Sequence, residues 1–267
     1  MVMLTRLSLA RLLVFLRSES KYIAYNIILV IALGFMVSIT ATMAPHLFTG
    51  PTQMYIIARL REIYGISVNT LDEVPKPLLI SIIATDLTPM LALLIISSAV
   101  ATSVARYVEK YRVHGMFERI IPNLGLAGPI RLLLGYGILS ALVSVGLIII
   151  ILLLIVIVVS IYYNVEIKLS EDYVILLTVL IPSYTLFSVG IGLTVSLGLM
   201  NWKRVERPSE IASISTIVPP LITLILTSLG FTNPIRLLVA ISLIGIVLTF
   251  TTAMILTKRI KIANIIY

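Results

Sequence analysis

The chain has 267 residues, of which 59% are hydrophobic and only 12% charged, with a mean hydropathy of +1.12. Soluble domains carry about 25% charged residues, so this composition excludes an ordinary soluble fold and predicts an all-α membrane protein. The absence of cysteine excludes disulfides, thiolate metal sites and cysteine nucleophiles, and a formal charge of +8 fits basic loops beside anionic lipid rather than a nucleic-acid partner.

In chain order, residues 1–21 combine Leu4, Leu7, Leu12, Leu13, Phe15 and Leu16 with Arg6, Arg11, Arg17 and Lys21. This pattern predicts a helix lying in the membrane interface, its arginines extending to the headgroups. The first span, 22–44, is too long for a signal-peptide core and no small-residue cleavage site follows it. The connection 45–77 is punctuated by Pro45, Gly50, Pro51, Gly65, Pro75 and Pro77, and its stretch Gln53–Tyr64 predicts a short helix at the outer surface. Five more spans follow at about 78–104, 132–162, 174–200, 211–230 and 235–257, the last two separated only by Phe231-Thr232-Asn233-Pro234. The third lies in a run of 34 residues, from Leu132 to Val165, without a formal charge. Roughly 20 apolar residues suffice to cross a hydrocarbon core of about 30 Å.

Basic residues set the orientation. With the N-terminus inside, 15 of the 20 Lys and Arg fall in cytoplasmic segments, leaving Arg59, Arg61, Lys76, Lys168 and Arg236 outside. Six spans then place both termini in the cytoplasm. The whole chain reads as one multi-pass transmembrane domain of the cell membrane, with no internal repeat.

Enzyme signatures are missing: no zinc-binding His-Glu-x-x-His, no Gly-x-Ser-x-Gly elbow and no phosphate-cradling Gly-x-x-x-x-Gly-Lys-Ser/Thr occurs. His46 and His114 fall on opposite sides of the membrane and cannot share a metal, so neither a catalytic residue nor a metal ligand is assigned. The one acid well inside a span is Asp86, in Ala84-Thr85-Asp86-Leu87-Thr88-Pro89. It reads either as a cavity-lining residue of a substrate or proton path or as a carboxyl hydrogen-bonded by Thr85 or Thr88. No basic residue within a span is available to pair with it. Pro89, Pro182 and the doublet Pro219-Pro220 predict helix breaks, the doublet being a candidate gating hinge or a packing feature. Ser188, Gly190, Gly192, Ser196 and Gly198 give the fourth span a small-residue face suited to close helix packing.

The second cytoplasmic connection, about 106–131, runs Arg106-Tyr107-Val108-Glu109-Lys110-Tyr111-Arg112-Val113-His114-Gly115-Met116-Phe117-Glu118-Arg119-Ile120-Ile121-Pro122. A short charged helix ending at Pro122 is predicted there; a basic loop tying span ends to headgroups is the plainer reading. With Gly135-Tyr136 opening the third span, Gly190-Ile191-Gly192-Leu193-Thr194-Val195-Ser196 in the fourth and Asn233-Pro234 before the last, this region resembles the permease subunits of type-2 ABC exporters. That family usually shows Glu-x-x-x-Gly-Thr-x-Glu-x-Leu-Leu, then Gly-Lys. Here Met116 stands in place of the threonine and Tyr136 in place of the lysine, Glu109 sits further from Gly115, and Pro122 arrives early.

The resemblance implies a transmembrane permease subunit that hydrolyses nothing itself. ATP and Mg would be bound by a separate ABC ATPase subunit, and a second permease subunit, in a homodimer or heterodimer, would complete the path. It further implies that residues about 107–121 form a coupling helix, with Glu109, Arg112, Gly115, Glu118 and Arg119 at the ATPase contact. Two other readings stay open: a secondary transporter using Asp86 as an ion or proton site, and a non-transporting membrane scaffold subunit.

Overall fold

The computed structural model describes residues 50–113, 128–164, 166–199, 208–228 and 234–265, together with the helical positions 24, 28, 31 and 32. The interfacial helix expected at 1–21 and all but those four positions of the expected first span lie outside the described residues. Within them every regular element is helical and no strand occurs.

Helix α1, Pro51–Tyr64, starts where Gly50 turns the chain at φ 61° and Pro51 supplies a pre-set first residue. It ends at Gly65, whose left-handed φ of 68° lets its N–H reach the Arg61 carbonyl at 3.0 Å. The helix predicted at 53–64 is therefore present, but it is more than a surface element. Ile56 and Leu60, one helical turn apart, are fully buried and pack in one cluster with Leu79, Ile80, Ile82, Ile83 and Val159.

After a 3-10 turn at Leu71–Glu73 comes a rod of three parts: α2, Lys76–Ile82, a π turn at Ile83–Leu87, and α3, Thr88–Val113. Helix α4, Gly128–Tyr163, is 36 residues long and stops at Asn164, which tolerates a left-handed φ of 51°. A second compound rod follows: α5, Glu171–Ile175, a π turn at Leu176–Leu180, and α6, Ile181–Gly198. Helices α7, Pro208–Ser228, and α8, Pro234–Ile265, complete the described chain.

Four stretches among the described residues are long and apolar enough to cross a membrane: 76–110, 132–163, 171–198 and 235–256. They correspond to the expected second, third, fourth and sixth spans. The expected fifth span forms helix α7, which is not among those four. These apolar helices make the chain a membrane protein, because only 17% of the most apolar window of α4 is buried by the protein itself. Leu142, Ile150, Leu154, Val158 and Ile161 all face outward, and water would not support such a surface.

Helix α6 is the central post, packing against α3, α4, α7 and α8. Its small residues allow that approach. A Cβ on Gly192 would stand 2.7 Å from the Ala101 carbonyl oxygen of α3, and one on Gly190 would collide with Thr249 of α8. Hydroxyl hydrogen bonds knit α6 to α8: Ser183 meets Ser242 at 2.7 Å, and Thr194 donates to the Thr249 carbonyl at 2.9 Å.

None of the four expected breaks, at Pro89, Pro182, Pro219 and Pro220, ends a helical rod, while the disturbed turn expected before a proline is present at two of them. Pro89 and Pro182 each follow a π turn, which takes up the missing donor by widening the turn before it. Pro219 and Pro220 lie inside the continuous α7. Pro220 removes the N–H that would have bonded the Thr216 carbonyl four residues back, and the buried Tyr184 hydroxyl of α6 donates to that carbonyl instead.

Candidate functional site

At one end of the bundle, α1 drives a guanidinium into the protein. Arg59 sits between Ile56 and Leu60 on the buried face of α1 and is only 5% exposed. All three of its nitrogens are engaged. Nε donates to Asp86 Oδ2 at 2.8 Å, Nη1 donates to Asp172 Oδ2 at 3.1 Å and to Glu62 Oε2 at 2.6 Å, and Nη2 donates to Ser170 Oγ at 2.9 Å. Asp86 and Asp172 are buried, whereas Glu62 is 64% exposed, so its pairing adds little. The same Ser170 oxygen accepts the Tyr173 N–H at 3.2 Å and so caps α5, using both acceptor positions of one hydroxyl.

The Tyr55 hydroxyl reaches Asp86 Oδ2 at 3.4 Å, and the Lys168 ammonium stands 6.0 Å from the ring centre of Tyr64. Burial, then the adjacent Asp86 carboxylate, pushes the Tyr55 phenol well above its ordinary range. For Arg59, burial pulls toward the neutral form, but the bond and charge of Asp86 outweigh it and hold the guanidinium firmly protonated. Two buried carboxylates thus share one cation. No residue here is poised as a nucleophile with a base; the arrangement is a three-way electrostatic tie between α1, the first π turn and the start of α5.

The pairing revises the reading of Asp86. Its partner comes from the connecting helix, outside any span. The hydroxyls of Thr85 and Thr88 instead donate to the Ser81 and Ile83 carbonyls, at 3.0 and 2.9 Å. Arg59 escaped notice because one charge in a polar connection reads as solvated. The available signal was its place on the same helical face as Ile56 and Leu60. Asp172 follows Ser170-Glu171, a pattern that reads simply as acids at a helix start.

The opposite end carries the charged connection. Asp86 and Arg106 are 20 residues apart on one rod, a rise of about 30 Å, so the two ends are separated by about one hydrocarbon thickness. Glu109 lies half-buried near the end of α3, and Arg112 falls in its last turn. Gly115, Glu118 and Arg119 lie outside the described residues. What is described is how the flanking helices are joined. The rings of Tyr107 on α3 and Tyr136 on α4 stack with centres 3.5 Å apart and planes 2° from parallel, and Ser103 Oγ bonds the Tyr136 hydroxyl at 3.1 Å. Tyr136, a departure from the family pattern, thus packs against the first tyrosine of the connection. Pro219 and Pro220 lie in α7 within one turn of Thr216, whose carbonyl accepts the Tyr184 hydroxyl of α6. No group of three or more His, Cys, Asp or Glu suited to a metal occurs among the described residues.

Comparison with protein-family models, curated proteins and solved structures finds no match to this chain.

Proposed function

We propose that this chain is the membrane-spanning subunit of an ATP-driven ABC exporter, lining a translocation path as a homodimer or heterodimer in the cell membrane. In this reading it crosses six times with both termini cytoplasmic, and a separate ABC ATPase binds ATP and Mg. The observation that carries the reading is the join between Tyr107 and Tyr136. It fixes the two helix ends that frame residues 114–127, so a push on that segment is delivered to α3 and α4 together. From there α3 runs back to the π turn that holds Asp86 at the far side. Glu109, Arg112, Gly115, Glu118 and Arg119 would meet the ATPase.

The secondary-transporter reading draws less support. Asp86 is tied to Arg59, and helical rise puts it near a membrane boundary rather than at the midplane where coupling ions bind. Affinity purification of the tagged chain tests the proposal. An ATPase carrying a phosphate-binding loop should co-purify, and Glu118→Ala with Arg119→Ala should release it. Absence of any such partner sinks the exporter reading.

A further inference from the structure

The two acids that bind Arg59 lie on two different rods, each of which contains a π turn. Asp86 lies within the π turn at Ile83–Leu87, and Asp172 lies four residues before the π turn at Leu176–Leu180. Each π turn precedes a proline, Pro89 or Pro182, whose missing N–H removes a helical hydrogen bond from the turn before it. A π turn holds one extra residue, and moving it along a helix re-aims the side chains it passes by about 100°. Such a shift in the first rod would carry the Asp86 carboxylate away from Arg59 while the main body of α3 stayed in place. Among the described residues α1 is also held by one apolar face, the Tyr55–Asp86 bond, the Tyr64–Ser81 hydroxyl contact and the Lys168–Tyr64 contact.

We propose that α1 is a lid over this end of the bundle and that Arg59 is its latch, closed on Asp86 and Asp172 and released when the π turns shift. The inference rests on the transport reading, since a lid implies a path beneath it. The lid governs access to the buried surface around Ser81, Ala84 and Thr85. Arginine suits the latch because its planar fork bonds both carboxylates and Ser170 at once, which the single ammonium of lysine does not reproduce.

The chain has no native cysteine, so Ala84→Cys, in the apolar cluster shared with Ile56 and Leu60, places one thiol under the lid at a position 1% exposed without touching a hydrogen bond that holds α1. Its reaction rate with a charged, membrane-impermeant methanethiosulfonate is to be measured on the full chain, with its co-purified ATPase, in sealed vesicles with reagent on either side. The rate should be slow at rest, rise at least tenfold on adding Arg59→Gln, and rise several-fold in Arg59→Lys. Mg-ATP should accelerate it with Arg59 intact. Equal rates in the parent and in both Arg59 variants overturn the latch, and Arg59→Lys decides the matter alone if Arg59→Gln does not fold. A rate indifferent to Mg-ATP overturns the lid as a moving part. If no ATPase co-purifies, the exporter reading fails separately, and the Arg59 variants in the isolated chain still decide the latch.

Discussion

Arg59 is the residue on which most of one end of the protein depends. Replacing it with alanine takes from the buried Asp86 and Asp172 the guanidinium they share, and losing one partner of a buried pair costs about 3–5 kcal/mol. Thermal unfolding in detergent should show that loss for Arg59→Ala. Glu62→Ala should lie close to the parent, because Glu62 is solvated. Tyr55 gives the same cluster a pH signature. Its folded-state phenol is held above the ordinary value of 10.0, so the unfolded chain surrenders that proton first. The stabilisation is therefore complete below pH 10.0 and declines as the pH rises past it. Tyr55→Phe should flatten that alkaline decline in an unfolding-against-pH series; an unchanged slope would remove Tyr55 from the cluster's energetics.

Between helices, the exchange of a backbone donor for a side chain at Pro220 makes a closed test. Tyr184→Phe strips the Thr216 carbonyl of the bond that replaces its missing backbone partner, at a cost on the scale of membrane hydrogen bonds, about 0.6–1.7 kcal/mol. In a Pro220→Ala background the residue 220 N–H is restored, so Tyr184→Phe should cost much less there. A double-mutant cycle with no coupling would show that the hydroxyl is incidental. The helices themselves were legible in the sequence because continuous apolar length is a strong signal, and the small-residue face of α6 was legible because Gly and Ser on one face have few other uses. The π turns were not. A proline announces a disturbed turn but not whether the helix kinks, breaks or widens, which is decided by whether neighbouring groups take up the freed carbonyls. The Arg59 tie was hidden for another reason. Its three elements are far apart in sequence, and each residue alone has an ordinary local explanation.

For the whole molecule, the apolar rods imply that α1 and the charged end of α3 lie on opposite sides of a bilayer. Met54, at 73% exposure, and the exposed Lys110 report those two ends. In oriented vesicles Met54→Cys and Lys110→Cys should react with an impermeant thiol reagent from opposite sides only, Met54→Cys from outside in the proposed orientation. Labelling of both from one side would mean that the rod 76–110 does not cross. The interior of the spans was readable from composition. The proposed coupling helix, about 107–121, runs beyond the described residues after Val113, and there the sequence resemblance alone supplies the roles proposed for Gly115, Glu118 and Arg119.

The long helix α4 has one more consequence. Tyr136 near its start and Tyr162 near its end, the latter 78% exposed, are 26 residues apart, a rise of about 39 Å. That is close to the thickness of a bilayer measured between its polar interfaces, about 40–45 Å, where tyrosine rings prefer to sit. The helix is therefore a gauge as well as a wall. Sliding it along the membrane normal, or steeply tilting it, would pull one ring into hydrocarbon or strand isoleucines in water. With Tyr136 held against Tyr107, the lipid thickness that satisfies α4 also fixes how far the charged connection stands above the membrane, so bilayer mismatch would act on the protein at the Tyr107–Tyr136 stack.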